Sequence, residues 1–231
     1  PMSAPTVDTT EVPDLLEAEE HDQLRSALRD MLGAHCTTEQ LLAHVASGRP
    51  SDPDLWTRVA SGLGLAGLLV PEEYGGDGAS TREAAIVCEE LGRACAPVPY
   101  LGSAVLATVA LVAAARDGSA DAADLLPALA EGRATAALVV DATRGPLEAF
   151  PGDVTREGST GQDSTGQGSE GRDSDDVVVT GTVHAVLGAD AADTLVVPAL
   201  LDGDAALVAV EAGAAAVDVG TALDAPDPWP R

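Results

Sequence analysis

The chain has 231 residues, of which 45% are hydrophobic, enough to fill the core of one or two domains. Twelve basic residues stand against 38 acidic ones, and the formal net charge is -26. Such an acidic chain is not expected to bind nucleic acid or an anionic membrane surface. The longest apolar helical stretch, 104–115, is shorter than the roughly 20 residues of a bilayer span, and no signal-peptide pattern opens the chain. With three cysteines, an odd number, we predict a cytoplasmic protein.

The first half of the chain carries repeated helix signals. Asp14 and Glu17 have the spacing of an N-cap and its N3 partner, and Thr37 with Gln40 repeats it. Asp52 followed by Pro53 suits an N-cap and the first helical position. Apolar residues recur every three or four positions after each signal, as in the stripe Trp56, Val59, Ala60 and Leu63. Together with the segments 103–115 and 119–131, these patterns predict a bundle of six helices.

A further capping pattern, Ser80 with Glu83, precedes a stripe that includes Cys88 and Cys95. The seven-residue spacing puts both cysteines on one face, so we predict that both point into the core as small apolar residues. On the same predicted helix, Glu89 and Glu90 are interpreted as surface or subunit-contact residues and not as catalytic ones. His35, Cys36 and His44 lack the spacing of a metal site, and no metal is predicted.

After Gly132 the pattern changes to short β-compatible runs separated by Gly, Asp and Pro. These runs are 134–140, 177–179, 183–186, 195–197, 207–210 and 217–219. They predict an α+β fold in which an all-α helical bundle is followed by a small antiparallel sheet or barrel. We expect a disordered segment over 1–13 with a cloning remnant at Pro1, a helical domain over 14–132, a β-domain over 133–225 and a tail over 226–231. Polar near-repeats predict a disordered insertion over 152–176.

Trp56, the run GLGLAGLLVPEEYGGDG from Gly62 to Gly78 and the run EELGR from Glu89 to Arg93 resemble the N-terminal helical domain of acyl-CoA dehydrogenases. The segments 180–182 and 189–197 look like the middle β-domain of that family. The resemblance covers about residues 14 to 225. It implies removal of two hydrogens from the α and β carbons of an acyl-CoA thioester, with FAD accepting the hydride. The family's catalytic base lies in a third, helical domain that we do not find here, so the resemblance assigns no catalytic residue to this chain.

The flavin-contacting motifs of the family are degenerate in this sequence. Where the family has Thr-Glu-Pro after a strand, this chain reads LVVDATRGP over 138–146, and Asp141 and Thr143 are the residues that the resemblance places near FAD. Where the family has Gly-x-Lys-x-Trp-Ile, this chain reads GTVHAV over 181–186, which places His184 in the same role. A solvated His184 on a strand face is the alternative. Motifs this divergent resemble subunits of bacterial heteromeric acyl-CoA dehydrogenases, which implies that FAD binds only together with a partner chain.

The resemblance also implies a substrate site at the turn formed by Tyr74, Gly75 and Gly76, because the corresponding loop of the family lies near the acyl group. The alternative is a plain connection between two helices, since Gly-Gly-Asp-Gly is common in turns. Our interpretation is therefore an acyl-CoA dehydrogenase-family subunit whose partner is a second such subunit. Two alternatives stay open, namely a non-catalytic interaction protein on the same fold and an N-terminal fragment of a longer dehydrogenase.

Overall fold

The structure, a computed structural model, describes residues 18–143, 155–157, 178–201 and 204–214. Its α-helices are α1 (Glu19–His35), α2 (Thr38–Ser47), α3 (Pro53–Thr57), α4 (Thr81–Arg93), α5 (Thr108–Arg116) and α6 (Ala120–Ala130). Its strands are β1 (Ala136–Leu138), β2 (Thr155–Glu157), β3 (Val178–Thr180), β4 (Thr194–Leu201) and β5 (Asp204–Glu211). The predicted α+β class, with helices before strands, is confirmed. The predicted segments 1–13, 217–219 and 226–231 lie outside the described residues.

Local capping signals set most of the helix starts. Thr37 accepts from the backbone N–H of Gln40, whose side chain bonds back to Thr37, and Ser80 forms the same box with Glu83. The predicted capping pair Asp14 and Glu17 lies outside the described residues, and the helix α1 begins at Glu19. There the Ala18 backbone N–H donates to Nδ1 of His21 over 3.0 Å. A histidine ring thus accepts one of the backbone N–H groups at the start of α1.

Two π-helical turns, Arg58–Gly62 after α3 and Tyr100–Ala107 before α5, were not predicted. The wider π turn shifts the side-chain period, and Leu63 is left 37% exposed although the stripe placed it inside. Cys95 is also exposed, so its predicted inward position is wrong. The helix α4 ends at Arg93 and Cys95 has a φ of 50°, so the helical period no longer applies there.

The core forms separate apolar clusters that hold the sheet against the helices. One lies inside the bundle and contains Leu28, Trp56, Val87 and Tyr100 among others. Another joins the side chains of α5 and α6 to the sheet, with these buried members: Val70, Leu111, Leu126, Ala136 and Val196. The buried Ser103 hydroxyl also accepts from the backbone N–H of Ala136 over 3.0 Å. The π turn that carries Ser103 is therefore fixed to the first strand.

The sheet is mixed, whereas we predicted an antiparallel one. The strand β4 pairs antiparallel with β5, but it pairs parallel with β1 and with β2. Parallel neighbours need a long crossover, and the 55 residues between β1 and β4 supply it. The predicted run 183–186 is not a strand, since Ala185 has a φ of 53° and cannot continue an extended backbone. Within the predicted disordered insertion 152–176, residues 155–157 form β2, and the rest of that segment lies outside the described residues.

Candidate functional site

A cleft lies where the helical bundle meets the β part of the chain. Three separate segments line it: 50–51 before α3, 96–102 between α4 and α5, and 187–191 before β4. Its volume is about 260 Å³ and it is open to solvent. The lining combines apolar side chains, among them three prolines and the exposed Leu101 and Leu187 (47% and 43%), with polar groups that include Ser51 and Asp190. Such a cleft can contact a ligand that has both apolar and polar parts.

The walls of the cleft are rigid. Proline rings fix the backbone of 97–99, and the Asp52 backbone N–H donates to the Pro97 carbonyl over 2.8 Å, which ties the first wall to the second. At Gly102 a Cβ would lie only 2.8 Å from the Leu187 carbonyl oxygen, so the second and third walls touch directly. Cys95 and Ala185, the two described non-glycine residues with positive φ, lie just before the second and third walls. Strained backbone of this kind concentrates at functional sites.

The three residues predicted to contact FAD occupy two adjoining segments. The carboxylate of Asp141 accepts from the backbone N–H of Thr143 over 2.9 Å and from its hydroxyl over 2.6 Å, which forms a tight turn after β1. The Ala142 backbone N–H in that turn donates to the carbonyl of Ala185, the neighbour of His184, over 3.3 Å. The turn thus contacts Ala185, which lies next to His184 in the chain and two residues before Leu187 of the third cleft wall.

This set does not fit FAD as a complete binding site. The flavin ring and the pyrophosphate present mostly acceptor oxygens and nitrogens, which call for hydrogen-bond donors and positive charge. The three residues offer one carboxylate, one imidazole and one hydroxyl, and the hydroxyl of Thr143 already donates to Asp141. A negative carboxylate beside a pyrophosphate is unfavourable. FAD binding at Asp141, Thr143 and His184 therefore remains a prediction that needs further groups.

The predicted substrate turn is folded onto its own chain. Gly75 has a φ of 85°, and a Cβ at Gly76 would overlap the carbonyl oxygens of Val70 and Gly67. The side chain of Tyr74 packs against the apolar cluster that joins α5 and α6 to the sheet. None of the three residues lines the cleft. The structure gives these glycines a packing role, and a substrate role for the turn stays a prediction.

Glu90 differs most from its predicted position. It is 1% exposed, and its carboxylate accepts from Arg25 over 2.7 Å and from Arg29 over 2.7 and 2.8 Å. The hydrogen bond from Arg29 lowers the pKa of Glu90 against its desolvation, and Arg25 adds to the effect. Glu90 is thus a buried anchor between α1 and α4 and not a surface contact. Glu89 is half exposed, as predicted, and shares Arg25 with it.

The buried thiols of the described ranges are not activated, and no metal cluster is found there. Burial raises the pKa of the Cys36 and Cys88 thiols, which keeps them protonated and unreactive. No group of three or more His, Cys, Asp or Glu side chains in the described part of the chain is arranged to hold a metal ion. Nor is any helix there both long and apolar enough to cross a membrane.

Sequence reasoning missed the cleft. Taken alone, Pro97 and Pro99 predict only the end of a helix, and nothing about Leu187 in the sequence predicts that it lines a cleft. Pro-Val-Pro directly after an amphipathic helix is the one local hint, because it predicts a rigid, apolar, extended segment that cannot join the helix. The positive φ of Cys95 and Ala185 has no sequence signal at all.

Comparison with known proteins supports this architecture. Residues 18–133, half of the chain, match the model of the acyl-CoA dehydrogenase N-terminal domain. The acyl-CoA dehydrogenase IpdE2 of Mycobacterium tuberculosis is 42% identical over 53% of this chain and 37% of its own length. The acyl-CoA dehydrogenase FadE27 of the same organism is 33% identical over 92% of this chain and 50% of its own length.

A solved structure agrees with these matches. The ChsE4-ChsE5 complex of Mycobacterium tuberculosis superposes with a TM-score of 0.67 at 29% identity, over 87% of this chain and 49% of the solved chain. The chain thus spans at most about half the length of these relatives. Because the family model matches the helical bundle up to the start of β1, this chain belongs to the acyl-CoA dehydrogenase family.

Proposed function

We propose that this chain is one subunit of an FAD-dependent acyl-CoA dehydrogenase that desaturates an acyl-CoA thioester between its α and β carbons. The catalytic base and most contacts to FAD come from a partner chain of the same family. The observation that carries the proposal is the cleft between the bundle and the sheet, in a chain that belongs to this family. Its proline and leucine side chains offer apolar contact to an acyl group, and Ser51 and Asp190 add polar groups to the same lining.

The size of the cleft supports a shared site. Pockets that enclose small molecules measure about 300–1,000 Å³ and bury most of the ligand. The cleft of this chain measures about 260 Å³ and is open, so it covers part of an acyl group and leaves the rest for another surface. The turn at Asp141 does not offer a complete set of contacts to FAD, which also supports a site that is shared with another chain. The similar ChsE4-ChsE5 structure is itself a complex of two proteins.

The first test is assembly with activity. The chain is co-expressed in turn with each full-length acyl-CoA dehydrogenase-like protein of its source organism, and each purified product is assayed for acyl-CoA-dependent reduction of an electron acceptor dye. Straight-chain and ring-bearing thioesters are both supplied. We expect one pairing to give a flavin-containing, active complex. Absence of activity in every pairing would refute the proposed function.

The second test asks whether this chain contacts the acyl group or is a non-catalytic scaffold. Leu187→Phe enlarges a side chain on the cleft rim, while Leu207→Phe makes the same change on β5, outside the cleft, at 36% exposure. We expect Leu187→Phe to raise KM for the longest or widest acyl group several-fold and Leu207→Phe to leave KM unchanged. Equal KM values for both variants and the wild type favour the scaffold alternative.

A further inference from the structure

The cleft between the helical bundle and the sheet has one charged residue in its lining. Among the residues that line it, Asp190 is acidic and none is basic, while Ser51 is the other polar side chain. Asp190 lies in the third wall, in the 3₁₀ turn Ala189–Ala191, and it is exposed. Within the described part of the chain, a ligand in the cleft therefore meets a carboxylate and no positive charge in the lining.

The backbone on both sides of Asp190 is held in place. The Ala191 carbonyl accepts from the Thr135 hydroxyl over 2.8 Å, which ties the turn to the residue before β1. On the other side, the Leu187 carbonyl lies against Gly102 of the second wall. Because both ends of this wall are anchored, the wall cannot swing away when a ligand enters, and Asp190 stays at the cleft.

Asp190 differs from the acidic residues beside the cleft in that its carboxylate is not already engaged. The carboxylate of Asp52 caps α3 by accepting from two backbone N–H groups, and that of Asp193 accepts from the backbone N–H and the hydroxyl of Thr135. No described residue donates a hydrogen bond to the side chain of Asp190. Arg49 directly precedes the first wall, but it does not line the cleft. The lining thus presents a free carboxylate without a counterion.

A negatively charged acyl group is disfavoured in this lining. Two negative charges about 4 Å apart in water repel each other enough to lower affinity about fivefold. A carboxylate also loses water when it lies against the prolines of the second wall, and no side chain that lines this wall offsets the loss. An uncharged acyl group meets neither cost, and it can pack against the same prolines.

We propose that Asp190 is a specificity-determining residue, which makes the cleft select uncharged acyl groups and reject acyl groups that carry a second, distal carboxylate. The inference rests on the proposed function, because it requires that the acyl group occupies this cleft. It adds the class of thioester that is turned over. Asp190 takes no part in the chemical step.

The test uses the active pairing identified by co-expression. The substrates are pairs of CoA thioesters of equal chain length, of which one ends in a methyl group and the other in a carboxylate. The preference is the ratio of kcat/KM for the methyl-ended substrate to kcat/KM for the carboxylate-ended one, measured at low and at high salt.

Four variants are compared, each checked for an unchanged urea unfolding midpoint. Asp190→Asn removes the charge at nearly constant size, and Asp190→Lys reverses it. Asp124→Asn makes the first of these changes on the exposed side of α6, outside the cleft. Arg49→Gln removes the positive charge beside the first wall.

We expect the wild type to prefer the methyl-ended substrate, Asp190→Asn to lower this preference about fivefold at low salt, and Asp190→Lys to lower it further. Added salt should reduce the difference between Asp190→Asn and the wild type, because Asp190 is exposed and its field is screened. Asp124→Asn should change the preference less than twofold.

Three results would overturn the proposal while leaving the proposed function intact. The first is an equal preference in the wild type and both Asp190 variants. The second is an equal drop in Asp190→Asn and Asp124→Asn, since the effect would then come from the net charge of the chain. The third is a wild type that prefers the carboxylate-ended substrate and loses this preference in Arg49→Gln, because Arg49 would then bind the carboxylate. Failure of every pairing with every thioester refutes the proposed function itself.

Discussion

Replacing Gly102 by alanine tests how tightly the helical bundle and the 187–191 segment are joined at the cleft. The added Cβ would lie 2.8 Å from the Leu187 carbonyl oxygen and 3.5 Å from its carbonyl carbon, both backbone atoms that cannot rotate away. Ordinary contact begins at 3.4 Å, so the two backbones have to separate by about 0.6 Å to reach it. The change therefore acts on the cleft wall itself.

The magnitude follows from two opposing effects. Overpacking a tight contact costs about 1–3 kcal/mol. Alanine in place of glycine in a helical segment returns about 0.5–1 kcal/mol, because less backbone entropy is lost on folding. We expect a net loss of about 1–2 kcal/mol in the free energy of unfolding for Gly102→Ala. In the active pairing, the shifted wall should also change KM for the acyl-CoA.

Gly33 provides the matched control for this change. It lies in α1, and no atom beyond its chain neighbours and its own helical backbone comes within 4 Å of the position that an alanine methyl would occupy, so Gly33→Ala should gain about 0.5–1 kcal/mol. Urea unfolding followed by circular dichroism measures both variants under the same conditions. A Gly102→Ala protein as stable as the Gly33→Ala protein would refute the reasoning, because the wall contact would then be loose.

Three further outcomes test other parts of the structure. Glu90→Gln should lower the free energy of unfolding by about 3 kcal/mol, the lower end of the cost of breaking a buried ion pair. The control Glu89→Gln should lower it far less, and equal losses in the two variants would contradict the burial of Glu90. Burial alone would raise the pKa of Glu83, but hydrogen bonds from Ser80 and His21 lower this pKa from 4.5 to about 2. The ionised carboxylate therefore stabilises the fold above pH 4.5, and this stabilisation is lost as the pH falls toward 2. The urea midpoint of Glu83→Gln should thus converge with that of the wild type in acid, and a constant difference from pH 7 to pH 2 would contradict this. Alkylation followed by mass spectrometry should modify Cys95 well before Cys88, whose thiol pKa is raised by burial, and the reverse order would show that the end of α4 is misassigned.

The sequence predicted those features that depend on residues close together in the chain. The capping boxes at Thr37 and Ser80 each involve a partner three residues away, and both are present. The parallel pairing of β1 with β4 joins strands separated by 55 residues, and nothing local encodes it. The ion pairs of Glu90 likewise bridge 61 to 65 residues. From the sequence alone, Glu90 is interpreted as a surface residue of a helix, because the arginines that pair with it lie far away in the chain.

The candidate site likewise has one part that could be predicted from the sequence and one part that could not. The resemblance placed Asp141, Thr143 and His184 near one cofactor, and the structure brings their segments together although it does not give them a complete set of flavin contacts. The cleft is built from three segments that lie far apart in the chain. Its shape depends on left-handed backbone at Cys95 and Ala185, which are ordinary residues by sequence. Long-range packing therefore determines the cleft, and single-residue signals do not.

Flavin stoichiometry is the measurement that tests the central claim most directly. The chain is purified alone and in the active pairing, and bound flavin per chain is determined from the visible absorption spectrum together with the mass of the assembly by sedimentation. The account predicts a colourless chain by itself and a flavin-containing complex of two different chains. A chain that alone retains one flavin per molecule and oxidises an acyl-CoA would contradict it.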